Sequence, residues 1–354
     1  MADGSHIEWT DATWNPITGC SVVSPGCTNC YAMKLAGTRL AHHPSRAGLT
    51  RDTKAGPVWT GEVRFNEQWL DQPLRWSKPR LIFVCAHGDL FAEGVPDEWI
   101  DKVFAVMAMA PQHTFQVLTK RPARMRDYLL HETPIARLRQ SMRACGRIEP
   151  SLLSWPLPNV WLGVSVEDQA RADERIPMLL DTPAAVRWIS AEPLLGPVDL
   201  TTIAIGNDYE LDALQRPSWR EVWDKHWSPE ATGIPLEQAI ADFVEDGGVY
   251  PPPVERPPSL DWVVVGGESG QDARPMHPQW ARDLREQCAA AGVAFHFKQW
   301  GEFLHLNGER HTRLSPMAFR AGTGAMTMFR VGKRTAGRLL DGIEHNGYPR
   351  GAHG

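Results

Sequence analysis

The sequence lacks any apolar run approaching the ~20 residues that span a bilayer. Residues 1–10 carry neither a basic stretch nor an apolar one, so no secretory leader is expected. There is no excess of positive charge: 37 Lys and Arg stand against 42 Asp and Glu, a net charge of −5. That excludes a global field for gripping a nucleic-acid backbone, and any such contact needs a local patch. The best local patch is Lys120-Arg121-Pro122-Ala123-Arg124-Met125-Arg126. Cysteine is scarce, and Cys85, Cys145 and Cys288 are scattered. They make no disulfide framework, so the reducing cytoplasm is the expected compartment and no membrane partner is expected. There is no internal repeat. Gly266-Gly267-Glu268-Ser269-Gly270 is neither G-x-G-x-x-G nor a P-loop; it suits close approach of backbone to a ligand, not a nucleotide fold.

What is present is a core. Of 354 residues, 42% are hydrophobic, enough for one large α/β domain with decoration or for two domains. Short apolar runs recur at Leu81–Ala86, Thr114–Leu118, Val160–Val166, Val186–Ser190, Trp262–Gly266 and Ala294–Phe297. Their continuity suits strands buried on both faces of a parallel sheet. Segments near Ala12–Thr18 and Gly61–Phe65 bring the count to between six and eight. Ile100, Val103, Phe104 and Met107 form a helical stripe behind Pro96 and Asp97, and Trp280, Leu284 and Cys288 form another. A further helix is expected to open between Thr28 and Leu40. The alternation predicts an α/β fold, a full or partial (β/α) barrel. Residues 1–200 and 261–303 read as one barrel domain. Residues 201–260, rich in proline, read as an insertion, partly helical at Leu236–Val244. Residues 304–354 read as a C-terminal extension. Most of the fifteen tryptophans are expected in core and rim packing.

Three further cysteines lie together: Cys20, Cys27 and Cys30, a C-x6-C-x2-C spacing with no fourth cysteine nearby. An iron–sulfur cubane usually takes four cysteines; held by three, it keeps one iron open for a substrate or cofactor. A structural zinc site with a distant fourth ligand, His6 or His87, is the rival reading, and buried unligated thiols are the third. Cys288 reads as a packed core residue, while Cys85 is the likelier of that pair to approach a pocket.

Each apolar run ends in polar residues: His87-Gly88-Asp89, Thr119-Lys120-Arg121, Ser165 and Glu167, Ser190 and Glu192, Glu268 and Ser269, and Lys298-Gln299-Trp300. Barrel enzymes collect their chemistry at the C-terminal ends of strands. Any one of these residues has an ordinary alternative as a loop residue or helix cap. The candidate catalytic residues are Asp89, Lys120 and Glu192. The candidate ligand-binding residues are Lys120, Ser165, Glu192, Glu268 and Lys298.

Asn15-Pro16-x-x-Gly19-Cys20 with Gly26-Cys27-x-x-Cys30-Tyr31-Ala32 resembles the cluster loop of radical S-adenosylmethionine enzymes near spore photoproduct lyase, whose usual spacing is C-x3-C-x2-C. Most of the chain also resembles a phage and prophage protein family with a three-cysteine motif. The matching stretches include Ile7-Glu8-Trp9-Thr10-Asp11, Leu118-Thr119-Lys120-Arg121-Pro122, Ser190-Ala191-Glu192-Pro193-Leu194 and Phe297-Lys298-Gln299-Trp300-Gly301. The resemblance implies a radical-SAM-type barrel, cytoplasmic in a bacterial host or phage-encoded. It implies a [4Fe-4S] cluster on Cys20, Cys27 and Cys30, with S-adenosyl-L-methionine chelated at the open iron. Lys120 or Arg121 would meet the methionine carboxylate, and Ser165, Glu192 or Glu268 the ammonium or ribose hydroxyls. An electron donor is required. A nucleic-acid or nucleotide substrate follows from the likeness to photoproduct lyase, with Arg121, Arg124 and Arg126 on phosphates and exposed tryptophans on a flipped base. The alternative is a zinc-stapled, non-catalytic binding protein for nucleic acid or a partner protein.

Overall fold

The computed structural model describes residues 5, 7–130, 134–144, 154–205, 209–215, 258–305, 316–321 and 324–349. Seven strands form one sheet: β1 (Ala12–Trp14), β2 (Leu81–Val84), β3 (Thr114–Thr119), β4 (Val160–Ser165), β5 (Val186–Ala191), β6 (Trp262–Gly266) and β7 (Ala294–Gln299). Their spatial order is their chain order, and every neighbouring pair is parallel. The sheet curls into a half-barrel, so the expectation of an α/β fold with a partial barrel holds. Gly61–Phe65 contributes only Arg64–Phe65, which pairs with Ile17–Thr18 outside this sheet.

The longer helices are α1 (Tyr31–Gly37), α2 (Asp97–Met109), α3 (Pro122–Leu130), α4 (Pro134–Ala144), α5 (Gln169–Leu180) and α6 (Pro278–Ala291), and a single turn follows at Lys333–Ala336. Ile100, Val103, Phe104 and Met107 of α2 are buried in the main core. So are Trp280, Leu284 and Cys288 of α6, which makes Cys288 a packing residue. Pro278 starts α6, and Gly292, at φ +70°, ends it in the left-handed region. The main core fills the space between helices and sheet with residues such as Ile82, Val117, Leu162, Ile189, Val263 and Phe297.

Strand alternation sends the next residues to the opposite face. There Trp161, Trp188 and Trp262 pack with Trp9, Leu81 and Val264 into a second core. Trp9 lies edge-on to Trp188 at 5.2 Å, and Trp188 and Trp262 are also 5.2 Å apart. This layer closes the interior below the strand ends. Gly163 makes room for it: a Cβ there would lie 2.5 Å from the Trp188 ring. A strand glycine usually gains from replacement by alanine, but this clash reverses the sign. Gly163→Ala is expected to cost about 1–3 kcal/mol, measured by urea unfolding.

The segment approaching Tyr348 runs along the free edge of β7. Phe297 N–H donates to His345 O and Gly347 N–H to Phe295 O, each at 2.9 Å. Tyr348 stacks on Trp262 at 5.3 Å. The tail therefore covers a strand edge and completes the aromatic layer. Phe303–His305, Pro316–Ala321 and Gly324–Arg330 form a separate three-stranded antiparallel sheet. Of the insertion, Ile203–Ile205 and Tyr209–Leu211 form an antiparallel ribbon, while Leu236–Val244 lies outside the described residues. No helix among the described residues is long and apolar enough to cross a membrane.

Candidate functional site

The C-terminal ends of the strands open into a cavity of about 450 Å³. Cys20, Cys27 and Cys30 line it from the loop between β1 and α1. Asp89, Lys120, Ser165, Glu192, Glu268 and Lys298 line it from the exits of six strands. The three cysteines and the six strand-end candidates are thus brought to one place. Cys85 also lines the cavity, at φ +56°. Cys288 does not line it.

Three strand exits hold the cysteine loop. From β3, the Arg121 guanidinium donates to Cys20 Sγ (3.4 Å), Ser21 O (3.0 Å) and Asp89 Oδ2 (3.2 Å). Asp89 also accepts from Phe91 N–H, the Thr119 hydroxyl and Lys120 N–H. Four bonds fill the acceptor sites of this carboxylate, so its expected catalytic role gives way to positioning. From β4, Glu167 is fully buried. It accepts from the Ser24 hydroxyl (2.6 Å) and from Arg175 (3.0 Å), with Lys120 Nζ at 3.1 Å. A Cβ at Gly26 would sit 2.3 Å from the same carboxylate, so only glycine lets the loop lie this close. From β6, Glu268 accepts from Arg274 (2.7 Å) and Asn29 (3.0 Å), while Arg274 reaches Pro25 O (3.0 Å). On the far wall, Lys298 Nζ donates to Glu192 at 2.7 Å. Each cavity carboxylate therefore has its own cation.

The glycines at the end of β6 allow close packing with neighbouring groups of the protein. A Cβ at Gly267 would meet Trp300 O at 2.0 Å, and one at Gly266 would meet the Glu192 carboxyl group at 3.1 Å. Gly267 also lines the cavity.

Burial pushes the Cys20 thiol up to about 12; Asp89 adds to the rise and Arg121 opposes it. Burial raises Cys30 too, against N–H groups of Met33 and Ala32 at the start of α1. Burial alone would raise Glu167, but Lys120 and Arg175 hold it below its ordinary value. Glu268 is likewise lowered, Arg274 and Asn29 outweighing its burial.

The donor set can be tested against the implied cluster. Three thiols on one cavity, those of Cys20 and Cys27 buried and that of Cys30 half-buried, become thiolates only beside positive charge, which a metal group supplies. Arg121 at Cys20 and the N–H groups at Cys30 favour anionic sulfur. The donor set, three cysteine sulfurs on one cavity with Arg121 beside Cys20, has the chemistry that a group held at three corners by sulfur needs. No group of three or more His, Cys, Asp or Glu among the described residues is arranged around a single metal ion. A lone zinc would need its sulfurs about 3.8 Å apart. His87, a suggested fourth zinc ligand, contacts Arg46 (2.5 Å) and does not line the cavity. Burial first, and then Arg46, lower it to about 4. His6 and Cys145 lie outside the described residues.

Two expectations about surface recognition change. Arg121 is buried in the cysteine-loop network, Arg124 pairs with Asp97 and Arg126 with Asp127, so the three form no shared phosphate grip. None of the described tryptophans is exposed; Trp9 and Trp59 line the cavity instead. Sequence reading did not identify Arg175 or the anchoring role of Glu167. The available signal was a charged residue on the buried stripe Ala172, Arg175, Ile176 and Leu179 of α5.

Residues 4–349 match the family model described as "Protein of unknown function (DUF5131)", and the chain belongs to that family. No curated protein and no solved structure matches the chain.

Proposed function

We propose that this chain is a radical S-adenosylmethionine enzyme on a partial (β/α) barrel, with a nucleic-acid or nucleotide substrate for repair or base modification. The observation that carries the reading is the meeting of Cys20, Cys27 and Cys30 with six polar strand exits in one cavity. The three thiolates would hold a [4Fe-4S] cluster. When bound, that group and S-adenosylmethionine supply a 5′-deoxyadenosyl radical for hydrogen-atom abstraction. Lys120 meets the methionine carboxylate by exchanging part of its contact with Glu167. Ser165 and Glu192 receive the ammonium and ribose hydroxyls, with Lys298 orienting Glu192, while Glu268, which accepts four bonds from Asn29 and Arg274, holds the cysteine loop as Asp89 does. Trp9, Phe83 and Leu118 form an apolar wall that limits water.

The test is anaerobic reconstitution with iron and sulfide, then reduction by dithionite with S-adenosylmethionine. Visible absorbance and release of 5′-deoxyadenosine are expected. Stoichiometric zinc, with no iron uptake and no cleavage, overturns the reading and favours a zinc-stapled binding protein.

A further inference from the structure

Arg121 occupies an unusual position between the cysteine loop and two carboxylates. Its side chain is 7% exposed. One nitrogen, Nη1, donates to both Cys20 Sγ (3.4 Å) and Asp89 Oδ2 (3.2 Å). Nε and Nη2 donate to Glu93 at 3.0 and 3.2 Å, and Nη2 also to Ser21 O. The guanidinium thus faces one cysteine sulfur on one side and Glu93 on the other. Asp89 is buried and fixed by three further donors. Glu93 is 60% exposed and does not line the cavity.

We propose that Arg121 makes reduction at the Cys20 corner easier and that Glu93 opposes it, an inference that rests on the cluster reading above. One electron from a low-potential donor adds negative charge at the sulfur ligands. A buried cation bonded to one of those sulfurs favours the reduced form over the oxidised form. Glu93 draws on the same guanidinium from the solvent side and weakens that preference. Arg121 is therefore a positioning residue with an electrostatic effect, not a catalytic residue. The two residues must act with opposite signs.

The wild type, Arg121→Gln and Glu93→Gln are reconstituted anaerobically and titrated with dithionite through one-electron mediators, following visible bleaching and electron paramagnetic resonance. Arg121→Gln is expected to be about tenfold less reduced at fixed poise, a downward shift of about 59 mV for a one-electron couple. Glu93→Gln is expected to shift upward by a smaller amount. Loop packing alone would lower cluster yield without giving opposite shifts. Equal midpoints in all three proteins, or shifts of the same sign, overturn the proposal. If Arg121→Gln does not fold, the sign in Glu93→Gln decides, because that exposed side chain can be neutralised without opening the cavity. A wild type that takes up no iron fails earlier and overturns the cluster reading together with this one.

Discussion

Glu167→Ala is expected to lower folding stability by about 3–5 kcal/mol, the cost of removing one partner from a buried ion pair. Arg175 is 1% exposed and Lys120 16% exposed at the side chain, and both would lose their carboxylate. Ser24 would lose its acceptor as well, releasing the loop that carries Cys27. The measurement is urea unfolding, with the midpoint falling at nearly unchanged slope. Ser24→Ala should cost only about 0.5–1.5 kcal/mol, since it leaves the ion pairs intact. The pH dependence has a defined sign. Glu167 is held below its ordinary value, so its contribution is full above the unfolded carboxylate range and is lost as pH falls through the folded value. Wild type should therefore lose stability on acidification in a way that Glu167→Gln does not. A variant as stable as wild type at neutral pH would refute the anchoring role.

Cys27→Ala is expected to abolish iron uptake and 5′-deoxyadenosine release together, whereas Cys288→Ala should retain both. Both cysteines are buried, so burial does not distinguish them. Position does: Cys27 lines the cavity with Cys20 and Cys30, and Cys288 packs with Trp280 and Leu284 on the far side of the sheet. Cys288→Ala removes one buried heavy atom and should cost about 1 kcal/mol. Iron content and visible absorbance of the two purified variants separate the roles. A colourless Cys288→Ala protein would make that cysteine a ligand, and an iron-replete Cys27→Ala protein would remove the ligand role from Cys27.

Much of the site was legible because a parallel sheet turns sequence order into geometry. Each apolar run had to end at the same edge, so Asp89, Lys120, Ser165, Glu192, Glu268 and Lys298 could be grouped without coordinates. The groups they bond to were not legible. Glu167 and Arg175 are eight residues apart across a strand exit and a helix, Arg121 and Cys20 are about a hundred apart, and no periodicity announces either pair. The charged run at 120–126 gave the opposite lesson. Its arginines read as a patch, but the exit of β3 sends Arg121 to Asp89, and α3 sends Arg124 to Asp97 and Arg126 to Asp127.

The strand–helix alternation, the polar strand ends and the three cysteines on one loop are all written in the chain, because period and spacing are local properties. Which charges pair with which depends on the folded sheet. It also decided that tryptophans from separate strands close the interior, and that Asp89 holds the loop instead of facing a ligand with open acceptor sites. Those outcomes depend on contacts between residues far apart in the chain, and such contacts exist only once the sheet has curled and its exits have met.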